Sequence, residues 1–136
     1  MIDPDLTLLL VEDNDIDVIV VKRLMRRLSI DLPIIRVHDG RAALEMLREP
    51  VSPPRVAPPY VIVLDINMPR VSGFEFLEAI TGDSQFANTP IFILSTSTNP
   101  DDSRKAEQYR VRGYFVKPIS ETELTTVLSA TGTRAA

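Results

Sequence analysis

The chain contains no cysteine, so disulfides, thiol nucleophiles and zinc–thiolate sites are all excluded. It has a single histidine, His38, too little imidazole for a histidine metal cage. Its five glycines are scattered and form neither G-x-G-x-x-G nor a P-loop, so a flavin or nucleotide module finds no support. Basic residues are not in excess: 15 Lys and Arg stand against 19 Asp and Glu, a formal net charge of −4. That balance gives no electrostatic reason to expect nucleic acid as a partner. The longest early apolar run, Leu6 to Val11, is far too short to cross a bilayer and lacks a basic flank, so neither a membrane span nor a secretory signal is expected. The expected location is the reducing cytoplasm.

What is present suits one globular domain. At 136 residues, with 44% hydrophobic and 25% charged, the chain is of ordinary single-domain size and has enough apolar material for a core. The expected domain spans residues 1–136, with its core at about 6–130. Runs of β-forming residues alternate with helical patterns. Strands are expected at Leu6–Val11, Ile34–Val37, Tyr60–Leu64, Ile91–Leu94 and Tyr114–Val116. The first and third read as apolar on both faces, hence central. Asn14 or Asp15 caps a first helix running to about Leu28, with Ile16, Ile19, Val20 and Leu24 on one stripe. Asp39 and Gly40 open a second, which Pro50 stops. Ser72 and Glu75 make a capping box for a third, carrying Phe74, Leu77 and Ile80. Asn99, Pro100 and Asp101-Asp102 start a fourth, to about Arg110, and Ser120 with Glu123 caps a fifth. Residues 50–59, PVSPPRVAPP, read as a stiff extended connector. Five βα units with right-handed crossovers predict an α/β fold: a doubly wound five-stranded parallel sheet, flavodoxin-like order 2-1-3-4-5, with helices on both faces.

In such sheets ligands sit at the carboxyl ends of the strands. Strand one ends in Glu12-Asp13, strand three in Asp65, strand four in Ser95-Thr96 and strand five in Lys117-Pro118. With strands one and three adjacent, three carboxylates converge. Three ionised carboxylates so close repel one another, and a hard divalent cation relieves that repulsion; Mg²⁺ suits a few carboxylates, waters and a phosphate oxygen. A carboxylate beside Mg²⁺ and an ammonium can attack phosphorus, and phosphoryl transfer needs chiefly positioning and charge neutralisation. Lys117 would neutralise the equatorial oxygens and the Ser95 hydroxyl would donate to one of them. Each piece has an ordinary reading, since an acidic pair after a strand is commonly a helix cap and first turn. Helix capping does not account for Lys117, nor for all four groups falling at strand ends.

These residues resemble the receiver domain of two-component response regulators. The matching pieces are VEDN at 11–14, LDINMPRVSG at 64–73, LSTS at 94–97 and GYFVKP at 113–118, and the resemblance runs from about Leu6 to Ala130. It implies a phosphoacceptor at Asp65, Mg²⁺ held by Glu12, Asp13 and Asp65 with the backbone carbonyl of Asn67, a switch hydroxyl at Ser95, a conserved cation at Lys117, an aromatic switch at Tyr114 and a cis Lys117–Pro118 bond. The implied partner is a histidine kinase or phosphotransfer protein. The implied role is a signalling phosphoacceptor that catalyses only its own phosphorylation and dephosphorylation. The proline-rich insert and STSTNPDD are similar to small stand-alone regulators serving phytochrome-type and related kinases.

An alternative of another class is a Mg²⁺-dependent hydrolase with an aspartyl-phosphate intermediate. Such enzymes often carry a second acid two residues after the nucleophile, and here that position is Asn67. Lys22, Arg23, Arg26 and Arg27 fall on one side of the first helix, either a solvated face or a docking surface for an acidic partner. His38, just past an edge strand, reads as structural or surface. The fourth helix is almost wholly polar, with Ala106 and Tyr109 as its apolar anchors, and so should be cheap to displace. No DNA-binding domain follows residue 130, so output is expected through protein contact, with a homodimer as a candidate assembly.

Overall fold

The computed structural model describes residues 2–51, 54–66 and 73–130. The chain alternates β1 (Thr7–Val11), α1 (Asp15–Arg27), β2 (Ile34–Val37), α2 (Gly40–Arg48), β3 (Tyr60–Leu64), α3 (Gly73–Thr81), β4 (Ile91–Ser95), α4 (Pro100–Glu107), β5 (Gly113–Val116) and α5 (Glu121–Leu128), with a 3₁₀ turn at Ser84–Phe86. The strands form one sheet in the order β2-β1-β3-β4-β5, and every pairing is parallel. The expected doubly wound α/β architecture is the one observed.

Strand alternation sorts the core into two layers. Leu9, Val11, Ile62, Leu64, Ile91 and Ile93 point to the face covered by α2, α3 and α4, where Ala43, Phe76, Leu77, Ile80 and Ala106 meet them. Leu8, Leu10, Val61, Val63, Phe92 and Leu94 point the other way, against Val18, Val21 and Met25 of α1 and Leu124, Val127 and Leu128 of α5. β3 and β4 are buried throughout, whereas β2 and β5 are only partly covered, as edge strands should be. Residues 50–59 form no helix or strand where they are described, and Val56 anchors the connector in the α2/α3 layer.

Two local expectations need correction. Of the stripe Ile16, Ile19, Val20 and Leu24, Leu24 packs against the core, but the inner face of α1 is centred elsewhere: Ile16 is 70% and Ile19 48% exposed, while Val18, Val21 and Met25 are buried. The helix carries two apolar stripes, and charge decides between them. Arg23 and Arg27 lie among Ile16, Ile19 and Val20 at helical spacing, and two guanidinium groups cannot be buried there without partners. The fourth helix is also shorter than expected. It stops at Glu107, and Arg110 takes a positive φ of 60° in the turn beyond it, so Tyr109 anchors the exit of the helix rather than its body.

The other caps match. Asn14 accepts from Ile16 and Asp17 N–H, Asp39 from Ala42 N–H and Asn99 from Asp101 N–H, and Ser120 with Glu123 completes a capping box. Ser72, the expected cap of α3, lies outside the described residues, as does Asn67.

Candidate functional site

The register of the sheet assembles the site. Val11 pairs with Leu64 on adjacent strands, so the residues that follow them, Glu12 and Asp65, emerge side by side. Ser95 pairs with Val116, which places Lys117 one step beyond β4. Each of the three is held by the backbone of its neighbour: Glu12 N–H donates to Val37 carbonyl (2.9 Å), Asp65 N–H to Val11 (3.1 Å) and Lys117 N–H to Ser95 (2.8 Å). The ladder thus continues one residue past the strands, and the site side chains sit on rigid backbone. Alternation sends Glu12, Asp65 and Lys117 to the α1/α5 side and gives Ser95 and Tyr114 the phase of the α3/α4 side.

The Lys117 ammonium sits at the centre. Its Nζ lies 2.7 Å from Glu12 Oε1, 2.6 Å from Asp17 Oδ2 and 3.1 Å from Asp65 Oδ2. Glu12, Asp65 and the Lys117 side chain are nearly closed off from solvent, whereas Asp13 is exposed. Arg36 on β2 braces the turn after β1: its Nε donates to the Glu12 carbonyl (2.7 Å) and its Nη2 lies 2.8 Å from Asp15 Oδ1.

Burial pushes the Glu12 carboxyl up to about 7; the hydrogen bond from Lys117 pulls it back only in part, and the Asp65 charge adds to the rise. For Lys117 burial works against the charge, but the Asp17 and Glu12 carboxylates outweigh it and hold the ammonium above its ordinary range. A carboxyl pushed up while it touches an ammonium indicates excess negative charge in a dry place. Glu12, Asp13 and Asp65 each offer one oxygen, and these atoms lie within 4.8 Å of one another. An all-oxygen, all-carboxylate donor set of this size fits a hard divalent cation such as Mg²⁺ or Mn²⁺.

Ser95 and Tyr114 are linked through Ser97. The Ser97 N–H donates to Ser95 Oγ (3.1 Å), and the Tyr114 hydroxyl donates to the Ser97 carbonyl (3.0 Å). The Ser97 hydroxyl donates to Asp102 in the first turn of α4 and accepts from Asn99 N–H (3.2 Å). The Lys117–Pro118 bond is cis, as the resemblance implied, and so is Pro58–Pro59. His38 is exposed, consistent with a surface role.

A family model for the response regulator receiver domain matches residues 8–129. The chain belongs to that family. It is 36% identical over 117 residues to a probable methanogenesis regulatory protein, FilR2, of Methanothrix harundinacea, covering 86% of this chain and 75% of that one. It is 31% identical over 115 residues to the response regulator Rcp1 of Synechocystis, covering 85% and 78%. A crystal structure of the Mn²⁺-bound form of response regulator Rcp1 superposes with a TM-score of 0.73 at 30% identity, covering 90% of this chain and 88% of that one. The phosphorylated cyanobacterial phytochrome response regulator RcpA gives 0.74 at 29% identity, covering 90% and 87%. The chain is therefore a response regulator receiver domain of two-component signalling, a family of phosphoacceptors that bind divalent metal and interact with histidine kinases or phosphotransfer proteins. Among the described residues no helix is long and apolar enough to cross a membrane.

Sequence reasoning missed Asp17. The signal was available once the inner face of α1 is taken as Val18, Val21 and Met25, because Asp17 lies one turn before Val21 and so borders the face turned to the sheet. Arg36 was missed as well, since a lone arginine in an edge strand reads as an ordinary solvated residue.

Proposed function

We propose that Asp65 accepts a phosphoryl group from the phosphohistidine of a kinase or phosphotransfer protein. The observation that carries this reading is the convergence of Glu12 and Asp65 on one buried ammonium, Lys117, beside the exposed carboxylate of Asp13. An Asp65 carboxylate oxygen attacks phosphorus, the P–N bond breaks, and the imidazole leaves with the electron pair and takes a proton. Lys117 neutralises charge on the phosphoryl oxygens, and the Ser95 hydroxyl donates to one of them. Glu12, Asp13 and Asp65 would hold Mg²⁺, with the backbone carbonyl of Asn67 as a further ligand. Bound there, the metal would supply charge neutralisation at the phosphoryl group. Movement of Ser95 toward the phosphoryl group pulls on Ser97, hence on Tyr114 and on α4, so that a surface changes in response to chemistry at Asp65. The two states need differ by only a few kcal/mol for a charge-assisted hydrogen bond of about 1.5–3 kcal/mol to bias them.

The kinase side is supported by the exposed face of α1, where Ile16 and Ile19 stand among Arg23 and Arg27, an apolar patch with a basic rim suited to an acidic helical partner. Output would pass through protein contact in the cytoplasm. A two-fold dimer through α4 and β5 is supported by the exposed Val116 on an edge strand, and light scattering with and without phosphate tests it. The decisive experiment for the function is incubation with Mg²⁺ and acetyl phosphate, read by intact-protein mass. One phosphoryl group should be added to the parent and none to Asp65→Asn. Equal labelling of the mutant places the acceptor elsewhere.

A further inference from the structure

We infer that Asp17 is a positioning residue for Lys117, holding its ammonium at the phosphoacceptor pocket while Glu12 is committed to a divalent cation. The inference rests on the phosphoacceptor reading above and goes beyond it by adding a residue from a different element.

An ammonium has three N–H bonds to donate, and the three carboxylates within reach of Lys117 Nζ can take all of them. Two of those, Glu12 and Asp65, also belong to the carboxylate group able to hold a metal; Asp17 does not. Glu12 therefore has two competing demands on it, and Asp65 is the atom that must receive phosphorus. Asp17 is the one of the three partners with no second claim among the described residues. It is also the nearest, at 2.6 Å, and it reaches across 100 residues of sequence from the first turn of α1.

The ordinary reading of an acid in a first helical turn is favourable interaction with the helix N-terminus. That role is already filled here. Asn14 caps the helix, and Asp15 occupies the same turn with its side chain 79% exposed and paired to Arg36. The Asp17 carboxylate is turned inward instead, 25% exposed, against an ammonium whose side chain is only 8% exposed. Its backbone N–H is fixed to the Asn14 side chain, so the tether has a firm root.

The consequence is a division of labour. With Glu12 as a ligand of a divalent cation, Lys117 would have an N–H free for a phosphoryl oxygen, while Asp17 would keep the long side chain from swinging out. Without Asp17, Lys117 would have only groups that the reaction itself requires.

The test uses the full chain as wild type, Asp17→Asn and Asp17→Glu. At saturating Mg²⁺ the maximal rate of phosphorylation by acetyl phosphate should fall about tenfold or more in Asp17→Asn, the loss of one charge-assisted hydrogen bond. Asp17→Glu should recover part of it. In a Lys117→Gln background the same Asp17→Asn change should alter the rate by less than about twofold, because the residue acts through Lys117. Independently of phosphate transfer, ¹⁵N-lysine spectra with Mg²⁺ present should show a slowly exchanging Lys117 ammonium in the wild type that is lost in Asp17→Asn. An unchanged or faster rate in Asp17→Asn, additive losses in the double variant, or a persistent ammonium resonance overturns the inference. A wild type that takes no phosphate at Asp65 overturns the phosphoacceptor reading instead, and the resonance still decides whether Asp17 tethers Lys117.

Discussion

Acidifying the solution from about pH 8 to about pH 6 is expected to weaken Mg²⁺ binding about tenfold, and Glu12 sets that magnitude. Its carboxyl is pushed up to about 7, first by burial and then by the Asp65 charge, against the pull of Lys117. A divalent cation takes the ionised form, so proton and metal compete for one group. Over that interval the ionised fraction of such a group falls from roughly nine-tenths to roughly one-tenth, equivalent to about 1.4 kcal/mol. Isothermal titration calorimetry in two buffers of different ionisation enthalpy measures both affinity and proton release. Close to one proton should leave per Mg²⁺ bound near pH 6 and roughly a tenth of one near pH 8. Glu12→Gln should abolish both dependences. The same displacement acts on the metal-free fold. Because the folded value lies above the ordinary 4.5, its contribution to stability is present in full below about 4.5 and is lost as the pH rises through about 7, a loss on the order of 3 kcal/mol. An affinity flat across this range, or proton release unaltered by Glu12→Gln, would refute the reasoning.

Gly73→Ala should destabilise by about 1–3 kcal/mol and slow phosphorylation, because a Cβ there would stand 2.3 Å from Ile66 Cα and 2.9 Å from the Asp65 carbonyl, both backbone atoms; a denaturation midpoint equal to the parent's would contradict this. Met25→Ala should cost about 2–5 kcal/mol while Ile16→Ala stays within about 0.5 kcal/mol, and the opposite ranking in urea would reverse the assigned inner face of α1. Ser95→Ala should still accept phosphate at Asp65 yet leave hydrogen exchange in α4 little changed by it, whereas a full α4 response in that variant would remove Ser95 from the switch.

The fold was legible because strands and helices differ in period and each helix start carries its own chemistry, as at Asn14, Asp39, Asn99 and Ser120. The site was legible because its members fall at strand ends, so that order along the chain became proximity in space without any knowledge of side-chain direction. What escaped was whatever depends on direction. α1 has apolar residues on both sides, and periodicity alone cannot rank Ile16, Ile19 and Val20 against Val18, Val21 and Met25. Weighing the arginines at 23 and 27 would have ranked them. That single misassignment also hid Asp17, whose meaning depends on which face of the helix meets the sheet. The end of α4 was overextended because Gln108, Tyr109 and Arg110 carry no stop signal of their own; the positive φ at Arg110 is imposed by the turn into β5. Arg36 gave no sequence signal, since its partners are a backbone carbonyl and an acid on other elements.

The contacts of Ser97 leave the loop between β4 and α4 with few independent ways to rearrange. One residue offers its N–H to Ser95, its carbonyl to Tyr114 and its hydroxyl to Asp102. Rotating the peptide plane before this residue disturbs the strand end, rotating the one after it disturbs the aromatic on the next strand, and turning its side chain disturbs the first turn of α4. A displacement of Ser97 as a whole would be felt at all three partners, so a substitution at any one of them is expected to change how firmly the other two are held.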